Sequence, residues 1–309
     1  MADWKPSRYR VLALTTRPFQ LADDEHMTRF APEALEGMLA QVRSTFLLAT
    51  IEHLTFLPPI GRWVDGEILK ADDGEQELVL EGIQLGQYTP VGPDPDPLEE
   101  VNTWASGHTG PITCHIQLEL RNFEAADAED VSKACPLSVR PENRWSVLPP
   151  LEWTLWIAVT WGLAKYAGAF LQELGRSNAQ SLVSWVVDAG KRARESQREQ
   201  MFTVMFDLND SRYIHAIVPF ESDTAQVRLT SALASLDDIA SFAASAQRRE
   251  GKYASLQRGT FLYDESGWHF AWWTDGNDVY LTNWFAKHCP DPARFLGRPL
   301  FVTDDDASS

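Results

Sequence analysis

Apolar residues recur every third or fourth position over Pro32–Val42, where Leu35, Met38, Leu39 and Val42 share one side of a helix. Before it, Tyr9–Thr16 is a β-rich run, and Thr45–Leu54 after it returns to strand character. Trp63–Leu69 and Glu77–Ile83 flank Asp72-Asp73-Gly74, a turn signal, and predict a hairpin. The cleanest alternation is ITCHIQLEL. Ile112, Cys114, Ile116, Leu118 and Leu120 fall on one face, and Thr113, His115, Gln117 and Glu119 on the other. This predicts a half-buried strand that closes an N-terminal unit.

Residues 153–171, WTLWIAVTWGLAKYAGAFL, hold a single charge, Lys165, and predict a hydrophobic helix that ends near Gly175. A second helix follows, opening on SNAQ as a capping box with Ser177 and Gln180 and running into Lys191, Arg192, Arg194 and Arg198. At about 1.5 Å per residue the first helix matches a bilayer core of about 30 Å. The basic flank on its C-terminal side would keep that side cytoplasmic, and the N-terminal unit would then need export without a signal peptide. The expectation is therefore a helix buried in protein or at a protein contact. Trp153, Trp156, Trp161 and Lys165 are the candidate partner- or membrane-contacting residues, with the membrane as the less favoured alternative.

Further along, Met201–Leu208 and Arg212–Pro219 predict a hairpin over Asn209-Asp210. A helix is expected over Ser231–Arg248. Three strands then follow, broken at Glu265-Ser266-Gly267 and Asp275-Gly276-Asn277. Trp268, Phe270 and Trp272 alternate onto one face as a core would, which leaves Trp273 on the other as a candidate for stacking a ligand. His215 and His269 fall in strands and carry no pattern. The fold class expected is α+β: an N-terminal antiparallel β domain over 1–125, a linker over 126–150, a central hydrophobic helix pair over 151–198, and over 199–309 an antiparallel sheet with one long helix and an acidic tail.

Composition narrows the function classes. The chain has 309 residues and a formal net charge of −17, which opposes direct, sequence-independent binding of nucleic acid. Three scattered cysteines, Cys114, Cys135 and Cys289, fit a reducing compartment, and a cytoplasmic location is expected. No spacing for a zinc site occurs, and Cys114 and His115 lie on opposite strand faces. Asp207, Asn209 and Ser211 imitate the start of a calcium loop, but Arg212 stands where glycine is required. Neither a metal nor a cofactor is expected.

One stretch carries a resemblance. Residues 51–85, IEHLTFLPPIGRWVDGEILKADDGEQELVLEGIQL, preceded by the helix APEALEGMLAQVRS, are similar to the head-maturation (prohead) proteases of tailed phages. The shared pattern is a short helix, a strand ending in histidine, a Pro-Ile-Gly turn and a hairpin, over residues 30–123. That resemblance implies His53 as the base for a serine nucleophile on a later strand. The strand in question reads ITCHI, so the candidates are Cys114 and, as the nearest serine, Ser106. The leading reading is a non-enzymatic interaction or effector module of a bacterial multi-protein system, contacting a protein partner or a second copy. A peptidase related to the prohead proteases is the alternative, and a membrane-disrupting effector using helix 153–171 is the third.

Overall fold

The computed structural model describes residues 8–20, 27–50, 56–88, 114–119, 123, 125–142, 151–158, 175–193, 200–220, 223–249 and 253–288. Two sheets organise them, and the class is α+β. The smaller sheet is fully antiparallel, in the order β1-β6-β5-β4, from Arg8–Thr15 (β1), Leu47–Ala49 (β4), Gly61–Lys70 (β5) and Gln76–Gln84 (β6). The short pair Phe19–Gln20 (β2) and Met27–Thr28 (β3) stands apart from it. Helix α1, Pro32–Ser44, starts with its proline in the first turn, where the missing N–H costs nothing, and seats Leu35 and Val42 on Leu78 and Leu80 of β6. The β5–β6 hairpin turns at Asp72-Asp73-Gly74 as the sequence predicts, with Gly74 at φ 87°.

The second sheet has nine strands. They are Gly86–Tyr88 (β7), Cys114–Glu119 (β8), Val139–Glu142 (β9), Leu151–Ala158 (β10), Gln200–Asp207 (β11), Tyr213–Phe220 (β12), Arg258–Asp264 (β13), Gly267–Thr274 (β14) and Asp278–Leu281 (β15). Their order is β7-β15-β14-β13-β12-β11-β10-β8-β9. Helices α2 (Ala125–Ala134), α3 (Gly175–Arg192), α4 (Ala225–Ala234) and α5 (Asp237–Gln247) cover one face. There Leu182, Val186, Leu229, Ile239 and Phe242 meet Phe202, Val204, Ala216 and Phe261 in one core. The opposite face packs Ile217, Leu262 and Trp272 against Phe56, Leu57, Leu85 and Phe285, the last from the short helix α6, Asn283–His288.

Four expectations change. Residues 151–158 are not helical: they form β10, held antiparallel by β8 and parallel by β11. A strand flanked on both sides and covered on both faces needs apolar residues throughout, so its sequence loses the alternation that marks a strand. The aromatic and apolar content of LEWTLWIA suits that position. Gly175 begins α3 instead of ending a preceding helix, so Ser177 lies within it rather than capping it. The single helix expected over 231–248 is two. Ser235 turns its hydroxyl back onto the carbonyls of Ser231 and Ala232, and Leu236 drops into the core before Asp237 opens α5. Finally, the large sheet is mixed, with β10–β11, β12–β13, β8–β9 and β15–β7 parallel.

No helix among the described residues is long and apolar enough to cross a membrane, a statement about helices alone.

Candidate functional site

His53, Ser106, Trp161 and Lys165 lie outside the described residues. Cys114 opens β8 in register with Ile157. Trp153 and Trp156, expected on a helix face, are strand residues of β10, in register with Leu118 and His115. Trp273 is half-buried, and a neighbour in the chain supplies its stacking partner. Tyr280 lies parallel to it at 4.2 Å and 15°, while Tyr253 meets it edge-on at 5.6 Å. Trp268, Phe270 and Trp272 do not share a face. Thr260 and Phe261 of β13 pair with Trp272 and Phe270, so Ala271 is an extra residue on β14. This bulge puts Trp268, Phe270 and Trp273 on the helix-covered side and Trp272 on the other.

The two histidines without a sequence pattern both belong to polar clusters. On the face opposite the helices, Arg258 donates from Nη2 to Nδ1 of His215 at 3.1 Å, and its guanidinium lies 5.4 Å from the centre of the Trp272 ring. A guanidinium only donates, so Nδ1 of His215 is the acceptor and its proton sits on Nε2. Trp272 in turn donates to the Phe56 carbonyl at 2.8 Å, tying the segment after residue 55 to the large sheet. Arg258, held by His215, thus packs on the ring whose N–H holds that segment.

The second cluster is in the β13–β14 turn. Asp264 Oδ1 accepts from the Ser266 hydroxyl at 2.7 Å and lies 3.1 Å from Nε2 of His269, and the same Nε2 lies 2.7 Å from Ser266 Oγ. Serine, histidine and aspartate are together, but a relay needs the carboxylate on one imidazole nitrogen and the hydroxyl on the other. Here both meet Nε2, and the serine proton points to the carboxylate, so the hydroxyl is not activated. Burial pushes the Asp264 carboxyl up, but hydrogen bonds from the Ser266 hydroxyl and backbone, with His269 beside it, outweigh that and hold it below the usual carboxylate range. Trp284 of α6 stacks on His269 at 4.2 Å and 6°, which docks that helix onto β14. These groups fasten the fold.

The feature facing outward is β1. Its RYRVLALT sequence pairs with β6 from Arg8↔Ile83 to Thr15↔Glu77, with a bulge at Ala13. Tyr9 lies over Gly61 and Gly82, where a Cβ would come within 2.2 Å of its hydroxyl and 2.4 Å of its ring, respectively, and meets Trp63 edge-on at 5.6 Å. Only glycine permits that approach. Arg8 pairs with Glu81 at 2.7 Å, Arg10 with Glu67, and Arg17 with Glu77 and with Asp73 at 3.0 Å, so the charge along the strand is compensated locally. Between the arginines and the bulge sit Val11 and Leu12, 43% and 52% exposed. Val11 pairs with Leu80 and so lies on the α1 side, while Leu12 pairs with Val79 on the other side. Leu12 shares the face away from α1 with Glu67 and Leu69, which is itself 41% exposed, while Val11 is exposed on the α1 side at the strand's outer edge. Among the described residues, β1 has a partner on one edge only.

No protein-family model, no curated protein and no solved structure matches this chain.

Proposed function

We propose that the chain is a non-enzymatic interaction module of a multi-protein system, and that the outer edge of β1 is its contact. The observation that supports this reading is the pair Val11 and Leu12, apolar, adjacent and exposed at the centre of an edge strand. An open edge offers backbone N–H and C=O groups to an incoming strand, and apolar side chains on both faces add packing to that ladder. A photo-reactive amino acid placed at Val11 should give a protein adduct of one defined mass in the cell that makes the chain. The same residue at Ser184, on the exposed side of α3, should give none. Equal labelling at both positions, or none at either, would refute the reading. The purified chain is also expected to leave an unfolded protein substrate uncut. Cleavage that disappears in His53→Ala would place it with the peptidases instead.

A further inference from the structure

The two faces of the large sheet differ in kind. Toward the helices, strands β8 and β10–β13 present Ile116, Leu155, Val204, Ala216 and Phe261, all apolar. On the other face the same five strands present His115, Thr154, Thr203, His215 and Thr260, each between 0% and 6% exposed. Register makes these a patch. His115, Met205, His215, Thr260 and Trp272 fall in one row across the sheet, with Thr154 and Thr203 in the next. Beyond them the face is apolar again, at Met201, Ile217 and Leu262. A buried hydroxyl or imidazole costs more than an apolar group in its place unless something binds it.

At the β13 end of the row, charge and hydroxyl converge. Arg258 lies two residues before Thr260, on the same face. Its guanidinium reaches both cross-strand neighbours of Thr260, Nδ1 of His215 at 3.1 Å and the Trp272 ring at 5.4 Å. The Thr260 hydroxyl itself is buried and has no hydrogen-bond partner among the described residues. Protein interiors rarely leave such a group unmet. The nearest described carboxylate in the register, Asp207, stands two strands from Arg258 and accepts from the Asn209 N–H at 2.8 Å in its own turn.

We infer that this face binds a small oxyanion, a carboxylate or a phosphate, held by the Arg258 guanidinium and the Thr260 hydroxyl beside His215 and Trp272. Thr260 is closed off from solvent, so binding is tested at equilibrium, where the chain opens and refolds. An anion that binds only the folded chain multiplies the folded-to-unfolded ratio about a hundredfold at about a hundred times its dissociation constant.

The full chain is unfolded in urea with chloride, acetate or inorganic phosphate at matched pH and ionic strength. Thr260→Val keeps the side-chain shape and the strand preference and removes the hydroxyl. In chloride it should unfold at a higher urea midpoint than the unaltered chain, because a partnerless buried hydroxyl is gone. In acetate or phosphate the unaltered chain should gain on it, since only that chain binds. Phosphate also stabilises folded chains through exclusion from their surface, so the reading is the difference between chains and not the rise itself. Arg258→Gln should lose the same anion-dependent gain. A gain with acetate alone identifies a carboxylate site, and one with phosphate alone a phosphate site. A Thr260→Val midpoint below the unaltered one in chloride would mean that the hydroxyl already has its partner. Equal anion-dependent rises in the unaltered chain and Thr260→Val would mean that nothing binds there. Either result overturns the inference.

Discussion

Trp272 is fully buried on the sheet face away from the helices, donates to the Phe56 carbonyl at 2.8 Å, and lies under the Arg258 guanidinium. Trp272→Ala removes a large indole from a closed site and strips a buried carbonyl of its donor. Truncations of this kind cost about 3–5 kcal/mol, and an orphaned buried acceptor adds about 1–3 kcal/mol where no water replaces the donor. Trp272→Phe separates the two contributions: it keeps most of the volume but loses the N–H, and a loss of about 1–3 kcal/mol is expected. Trp268 provides the internal control. It is half-buried, donates to the Ala232 carbonyl at 3.1 Å, and faces the helix layer, so Trp268→Ala should cost roughly 1–2 kcal/mol less than Trp272→Ala. Urea unfolding measures these differences as shifts in midpoint at constant slope. Hydrogen exchange at Phe56 and Leu57 should accelerate in Trp272→Ala and not in Trp268→Ala, because only Trp272 ties that segment down. Equal costs and equal exchange in the two variants would mean that the tryptophans share one environment, and the bulge at Ala271 would then be wrong.

Ser211 sits at φ 59°, in the left-handed region with Asn209 and Asp210 but without their side-chain tolerance for it; Ser211→Gly should raise the urea midpoint, stabilising by about 0.5–1 kcal/mol net of the entropy glycine loses. The Asp264 carboxyl is held below its usual range, so its contribution is present above the unfolded value of about 3.9 and is lost as pH falls through the lower folded value. Asp264→Asn should therefore flatten the fall of the urea midpoint below about pH 4, and an unchanged acid limb would refute the assignment. Burial pushes the Cys135 thiol up to about 11, so at pH 8 it should be alkylated on the order of a hundredfold more slowly in the folded chain than in urea, read by mass spectrometry of its peptide.

Where the sequence signal and the fold agree, the signal is local. The Asp72-Asp73-Gly74 and Asn209-Asp210 hairpins, the strands broken at Ser266-Gly267 and Gly276, and the α1 stripe each depend on residues within one or two turns of one another. Trp272 shows what local pattern misses. Strict alternation assigns it to the face of Trp268, and one extra residue, Ala271, reverses that without any glycine or proline to announce it. Strand β10 shows a second limit. Its apolar run fits a helical surface as well as a doubly covered strand, and what decides between them is the pairing with β8 and β11, a non-local fact. Arg258, His215, Asp264 and His269 were silent for a related reason: a charged or aromatic residue in a strand becomes a fastener only through cross-strand neighbours that sequence spacing does not reveal.

The strand character of β1 was legible over Tyr9–Thr16, but its place at a sheet edge was not. RYRVLALT, with Val11 and Leu12 side by side, has the composition of a strand covered on both faces, much like LEWTLWIA of β10. Both runs put apolar residues on two faces, and both need neighbours on two edges. In β10 the neighbours are β8 and β11, and Thr154 and Leu155 are buried on opposite faces as a result. In β1 the one neighbour among the described residues is β6, and Val11 and Leu12 stay exposed. A strand with the composition of a sheet interior, placed at a sheet edge, has an unmet requirement for a partner, and that mismatch is physical ground for reading β1 as a contact. It also fixes what the partner must supply: an extended backbone first, and small or apolar side chains on both of its faces beside Val11 and Leu12. A helix or a flat surface laid on one face would bury one of the two residues and leave the other in water.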